Sequence, residues 1–393
     1  MDATRNPFSP GAGTQPPELA GRQAILQDSE FALERAKSGR SAKGAMLLGL
    51  RGVGKTVLLN RILAAAEARA YLAELVEAPD DRSLAALLTP HLKAMLIKLS
   101  RSAAASAQIG QASRALRNFA SAFKLSLGDF SVEVSRDDGS ASSGDIQSDL
   151  PDLILSLATA ARERGRAVAL LIDEVQYLSK ADLGAVIVTA HKASQRGLPF
   201  IFFGAGLPQL AGLAGEAKSY AERLFAFPEI GPLDEAAAHA AIEEPVKDEL
   251  ASIEAAAVDL IVERTGGYPY VLQEWGYHAW NQADGSTITQ SDVRAADDIA
   301  VAKLDAEFFR VRFDRLTPKE QEYLRAMAEL GPGPHRSGEI ADALGRDVQG
   351  LAPRRNGLIK KGMIYSPAHG DTAFTVPMFD TFLKREMPNW RTR

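Results

Sequence analysis

Gly49, Gly54, Lys55 and Thr56 stand in the pattern G-x-x-x-x-G-K-T, spelled Gly-Leu-Arg-Gly-Val-Gly-Lys-Thr over residues 49–56. Glycines at these places let a backbone wrap phosphate oxygens with its N–H groups, while a following helix aims its positive dipole end at the same charge. Arg51, Gly52, Val53, Gly54 and Val57 would form or border that loop. Lys55 would reach the β and γ phosphates, and Thr56 would offer its hydroxyl to Mg²⁺. A second acidic site follows the apolar run Ala167–Ile172, which ends in Asp173-Glu174. There Asp173 would orient the shell of the Mg²⁺ ion. Glu174 would polarise an attacking water as general base. The chemistry implied is hydrolysis of ATP.

Such groups need a sheet to hold them. Ala45–Leu48 is a short apolar strand running into the Gly-rich turn, followed by a predicted helix over Lys55–Ala70. Tyr71–Val76, Ala167–Ile172 and Phe200–Phe203 read as further strands, with a short fifth near Phe225–Phe227. Helical patterns separate them, and continuous apolar runs of this length belong to parallel strands buried on both faces. The fold class expected is α/β, with a phosphate-loop parallel sheet. Residues 1–20, rich in Pro, Gly and Ser, read as an extended arm. Residues 100–144, rich in Ser and Ala, read as a flexible insertion with one strand or hairpin near Phe130–Val134. From Asp234 to Phe309 the pattern is wholly helical. Beyond it, helices near Pro318–Leu330 and Ser337–Leu344 and a third ending near Ile359 precede two short strands, Met363–Tyr365 and Phe374–Val376, around the turn His369-Gly370-Asp371.

Composition excludes several classes. Of the 393 residues 24% are charged and 46% hydrophobic, the mixture of a globular chain rather than a collagen-like or disordered one. No apolar run approaches the roughly 20 residues of a membrane span, and Met1–Pro10 lacks a basic-then-apolar leader pattern. Zero cysteines exclude disulfides and thiolate metal sites, and the six histidines lack ligand spacing. A cytoplasmic protein without structural zinc and without a membrane partner is the expectation. Net charge is −5, unevenly spread: Arg310–Arg393 holds 15 Lys/Arg against 10 Asp/Glu, whereas the remainder holds 30 against 40. A basic C-terminal module on an acidic body is one form of nucleic-acid footprint, and a solvated helix face gives the same count.

The order of motifs resembles that of an AAA+ ATPase, and within that group the prokaryotic origin-recognition and STAND-like ATPases that carry a C-terminal winged helix. Pro16-Pro17-Glu-Leu-Ala-Gly21-Arg22 is similar to the family's N-terminal box beside the adenine, which assigns Gly21 and Arg22 to nucleotide binding. Arg22 capping the first helix is the alternative. Gly266-Gly267-Tyr268-Pro269 is similar to a Gly-x-Pro motif that contacts nucleotide, which adds Pro269. Asp173-Glu-Val-Gln176 is similar to the Walker B variant of prokaryotic members. Ser219-Tyr-Ala-Glu-Arg223-Leu-Phe is similar to the arginine-finger region, so the resemblance implies that Arg223 acts on a neighbouring subunit's γ-phosphate in a homo-oligomer. The bland alternative is a surface ion pair of Arg223 with Glu222 or Glu229. Trp275, Tyr277 and Trp280 in the helical segment are better read as core than as base-stacking groups.

Two departures from the family pattern stand out. Where many members carry a polar sensor 1 residue after the fourth strand, this chain reads Gly204-Ala205-Gly206; where a sensor 2 arginine is sought, it has Pro269 and Tyr270. Both imply slow, regulated turnover, suited to a switch rather than a motor.

The resemblance implies four parts: the arm 1–20, a phosphate-loop ATPase domain 21–232, a helical lid 233–309 and a winged-helix domain 310–393. In the last, Arg346, Arg354, Arg355, Lys360 and Lys361, with His369 at the wing tip, are the candidate contacts to double-stranded DNA, in the docking geometry usual for a third helix in the major groove. Pro353 is awkward inside a helix and suits a first helical position, so the third helix either spans it or starts there. The reading is an ATP- and Mg²⁺-dependent switch acting on DNA. The alternative is a STAND-type switch whose winged helix contacts a protein partner. A small-molecule kinase is disfavoured, since the lid and winged helix have no role in one.

Overall fold

A computed structural model describes residues 1–11, 19–78, 82–100, 106–127 and 143–390. The chain divides into two compact units, one of residues 24–48 and 55–229, the other of residues 1–23, 49–54 and 230–393.

The first unit is built on five parallel strands, β1 (Gly44–Leu48), β2 (Tyr71–Glu77), β3 (Ala167–Asp173), β4 (Phe200–Gly206) and β5 (Phe225–Ala226), in the order β2-β3-β4-β1-β5. β1, β3 and β4 are buried along their whole length, which is why they are continuous apolar runs rather than alternating ones. Around the sheet lie α1 (Gln23–Lys37), α2 (Lys55–Ala68), α3 (Leu84–Ser100), α4 (Ala107–Ala122), α5 (Ile146–Glu163), α6 (Lys180–Gln195), α7 (Leu210–Ala217) and α8 (Ala221–Leu224). One apolar core joins Met46 and Ile172 of the strands to Leu88 of α3, Leu116 of α4 and Leu157 of α5. The strand register puts Asp173 of β3 opposite Glu77 of β2, at the carboxyl edge where parallel sheets bind ligands.

The insertion differs from expectation. Residues 107–122 are the helix α4, capped by Ser106, whose hydroxyl accepts from the Ile109 amide at 3.2 Å, and Ile109, Leu116 and Phe119 are buried. Apolar side chains at this spacing line one face of a helix, and burying it anchors the segment. The strand expected near Phe130–Val134 lies outside the described residues, as do residues 16–18 of the N-terminal box.

The second unit begins with residues 1–11, and these are not a free arm. Ala3–Arg5 forms a 3₁₀ turn capped by Asp2. Phe8 is buried, the Asn6 amide donates to the Tyr277 carbonyl at 2.9 Å, and Arg5 pairs with Glu249 at 2.9 Å. A Cβ on Gly276 would come within 2.7 Å of the Phe8 ring, so the absent side chain makes the notch that seats it. Four helices follow: α9 (Glu235–Asp248), α10 (Ala255–Thr265), α11 (Pro269–Gln282) and α12 (Gln290–Lys303), with the short parallel pair β6 (Ser252–Ile253) and β7 (Thr287–Ile288). Trp275 and Trp280 are buried, their indole N–H groups donating to Asp297 and to the Asp2 carbonyl, so core packing accounts for both.

A π-helical turn, Leu304–Phe309, leads through α13 (Arg310–Phe313) to α14 (Pro318–Leu330), β8 (His335–Arg336), α15 (Ser337–Leu344), α16 (Val348–Lys360), β9 (Ile364–Tyr365), β10 (Asp371–Phe374) and α17 (Phe379–Glu386). The three strands form an antiparallel sheet in the order β8-β10-β9. α16 starts at Val348, where Asp347 accepts from the Gly350 amide at 2.8 Å, and it runs through Pro353 rather than starting there. The cap satisfies the helix end five residues earlier than the proline signal implied.

Candidate active site

In the sheet unit, β3 delivers Asp173 and Glu174 while α2 opens with Lys55 and Thr56. The Thr56 hydroxyl donates to Asp173 Oδ2 at 2.5 Å, and the Glu174 amide donates to Asp173 Oδ1 at 2.8 Å. Asp173 is 8% exposed, and burial pushes its carboxyl above the usual carboxylate range, against the hydrogen bond from Thr56 and the charge of Lys55. The Asp173 carboxylate and the Thr56 hydroxyl beside it are hard oxygen donors of the kind Mg²⁺ prefers. Thr56 and Asp173 therefore fit the ion that the motif implies.

Glu174 follows at φ +52°, ψ +38°, a left-handed conformation uncommon outside glycine and concentrated at functional sites. The bend redirects the chain out of β3 into the 3₁₀ turn Val175–Tyr177. Gln176 in that turn donates to Glu174 Oε2, and its own Oε1 accepts from the Leu207 amide at 3.1 Å. The motif contained Gln176, but its side-chain partners were not evident from spacing. Val57 is buried on α2. Arg223 lies exposed at the end of α8, and among the described residues it makes no ion pair with Glu222 or Glu229.

In the helical unit, the loop Gly49–Gly54 takes positive φ at Gly52 (+81°) and Gly54 (+92°), and Val53 is buried. A Cβ on Gly49 would fall 2.2 Å from the Ile230 carbonyl oxygen, so that position tolerates only glycine. Two contacts hold the loop that the motif did not indicate. The Tyr270 amide, one residue past Pro269 at the start of α11, donates to the Gly52 carbonyl at 3.2 Å. The Arg51 amide donates to the Thr375 carbonyl at 3.0 Å, a pairing across more than three hundred residues that no local pattern signals. Arg22 donates to the Gly231 carbonyl, and burial pulls its guanidinium below the ordinary value while Asp234 opposes. Gly21 is exposed at φ +69°.

The five basic residues chosen for DNA separate in the structure. Arg346 and Lys360 are exposed and Arg354 is half-buried. Arg355 instead binds within the domain, to Thr372 Oγ1 at 2.9 Å, Ser366 Oγ at 2.9 Å and the Asp371 carbonyl at 3.0 Å. Lys361 donates to Glu320 at 2.7 Å and to the Arg315 carbonyl at 3.0 Å. Arg355 thus ties the strands to the middle of α16, and Lys361 ties α14 to its end. Among the described residues no group of acidic or histidine side chains forms a ready metal cluster, and no helix is long and apolar enough to cross a membrane.

Parallel strand order, phosphate loop and acidic strand end define an α/β fold of the P-loop NTPase kind. Residues 18–203 match the family model described as AAA ATPase domain, and residues 306–383 match one described as Domain of unknown function (DUF8462). No curated protein matches the sequence. Among solved structures the chain is similar to a Walker-type ATPase of Pyrococcus abyssi, at 19% identity and a TM-score of 0.57 over 96% of this chain and 99% of that one. At that identity the likeness is one of fold. Others are Orc1 of Aeropyrum pernix in complex with DNA (14% identity, TM-score 0.49, 97% and 96% covered) and the Holliday junction branch migration motor RuvB of Thermotoga maritima (16%, 0.47, 95% and 99%).

Proposed function

We propose that the chain is an ATP-dependent switch. It binds ATP with Mg²⁺ on the loop 49–56, hydrolyses it slowly, and changes oligomeric or conformational state in doing so. The observation that carries this reading is the pairing of Thr56 with buried Asp173, which puts the motif's hydroxyl and the strand-end carboxylate at one place. Lys55 neutralises phosphate charge. Mg²⁺, when bound, would withdraw charge from the phosphate oxygens. Glu174 accepts a proton from the attacking water. Arg223, exposed and without an ion pair to its acidic neighbours, suits a finger offered to a second copy of the chain.

On this reading the parts are the N-terminal segment 1–20, an ATPase domain 21–232, a lid 233–309 and a winged-helix domain 310–393 in a cytoplasmic protein. The run helix, strand, helix, helix, strand, strand from α14 to β10, with its three-stranded antiparallel sheet, supports the winged helix. We assign duplex DNA as its target, through Arg346, Arg354 and Lys360. The internal ties of Arg355 and Lys361 favour the second reading, a switch whose winged helix contacts protein. Calorimetric titration of ATP, with phosphate release measured with and without duplex DNA, tests both. Wild type should bind ATP and Lys55→Ala should not. A lack of any DNA binding at low salt with ATP present would leave the protein-contact switch.

A further inference from the structure

The carboxyl end of β4 is made of Gly204, Ala205 and Gly206, and it offers no polar side chain next to Glu174. The space is filled from the other side. Gln176 reaches across from the turn after β3, accepting from the Leu207 amide just past β4 at 3.1 Å and donating to Glu174 Oε2. Gly206 is what makes room: a Cβ there would stand 2.5 Å from Gln176 Oε1. Val175, buried between these two side chains in sequence, pins the turn beneath them, and its Cγ2 would lie 3.0 Å from a Cβ on Gly204. One amide thus joins two strand ends to one oxygen of the carboxylate and leaves Oε1 of Glu174 without a claim from Gln176.

We propose that Gln176 is a positioning residue for hydrolysis. It fixes the Glu174 side chain from the end of β4, so that Oε1 faces the water while Oε2 is held. A glutamate on a left-handed backbone has several rotamers to choose among, and a two-sided amide selects one. The inference rests on the reading of Glu174 as general base.

The test is a kinetic comparison of full-length variants. Gln176→Ala should lower kcat for ATP hydrolysis at least ten-fold while the Kd for ATP stays within two-fold of wild type. Gly206→Ala should reproduce this split, because its methyl evicts the Gln176 amide from a strand that carries no reacting group. In the Glu174→Gln background, Gln176→Ala should cost nothing further, since residues acting as one unit are non-additive. A merely structural role would instead lower stability in both backgrounds alike and weaken ATP binding along with turnover. Wild-type kcat in Gln176→Ala and Gly206→Ala, with Glu174→Gln inactive, overturns the proposal and keeps the general base. Full turnover in Glu174→Gln overturns the general base itself, and a loss confined to Gln176→Ala would then place Gln176 in direct action rather than behind Glu174.

Discussion

Thr56 and Asp173, 117 residues apart in the chain, meet in a hydrogen bond of 2.5 Å. That single contact joins the helix after the phosphate loop to the acidic end of β3. It also gives the buried carboxylate one of its few donors, since burial alone drives Asp173 toward its neutral form.

Removing the hydroxyl should therefore cost both binding and fold. Thr56→Val leaves Asp173 Oδ2 buried and short of a donor, an expense of about 1–3 kcal/mol, while Thr56→Ser should restore wild-type behaviour. Chemical denaturation, with ATP titrations in Mg²⁺ and in EDTA, checks this. The variant should lose the Mg²⁺-dependent part of its ATP affinity.

Glu174→Gln should keep ATP affinity and lose hydrolysis, because an amide cannot accept the proton of the attacking water. Equilibrium titration and single-turnover phosphate release separate the two quantities. Undiminished turnover would move the base to another group.

Concentration is the variable that tests Arg223. If this exposed arginine serves a second copy, specific activity should rise with protein concentration, and Arg223→Ala should bind ATP without hydrolysing it. A finger of this kind is worth about 10³–10⁵ in rate where it operates. Mixing Arg223→Ala with Lys55→Ala should recover activity, since each supplies what the other lacks. Concentration-independent turnover, with Arg223→Ala as active as wild type, would mean a monomeric switch.

Among the basic residues of the C-terminal domain, two behaviours are expected. Reversing Arg346, Arg354 and Lys360 to Glu should weaken duplex DNA binding and flatten its salt dependence without changing ATP affinity. Arg355→Ala should instead destabilise the domain, because it strips three hydrogen bonds from the strands. Fluorescence anisotropy at two salt concentrations, with thermal melts of each variant, separates contact from scaffold.

Glu274 on α11 offers a pH handle on stability. It is 3% exposed and its carboxyl is pushed up to about 7, chiefly by burial, with Lys303 opposing and Glu307 adding. The folded chain then holds a proton that the unfolded chain gives up near its ordinary value, so stability falls as pH rises from about 4.5 to 7, by at most ~1.4 kcal/mol per unit. His278, 3.2 Å away and depressed by burial, acts oppositely as pH falls below its ordinary value. Comparing wild type with Glu274→Gln isolates the carboxyl. The variant should be the more stable of the two above pH 7, and the gap should close toward pH 5. A gap independent of pH would remove the titration from Glu274.

The sheet and the phosphate loop were legible because their signals are local. A buried parallel strand is a continuous apolar run, and the loop's glycines are required by backbone geometry at fixed spacing. The Ser and Ala content of α4 masks its helical period, which Ile109, Leu116 and Phe119 carry, and alanine is itself the best helix former. What could not be read is contact at a distance. Arg355 and Lys361 look like a basic surface in sequence, and only the folded positions of Thr372, Ser366 and Glu320 reveal them as internal ties. Likewise nothing near Arg51 announces Thr375.

The notch at Gly276 has a practical corollary for anyone producing the protein. Trimming the first nine residues, as one would a loose tail, would strip Phe8 from its seat and expose the apolar surface it covers. Shortened versions should come out of expression sticky and prone to precipitate.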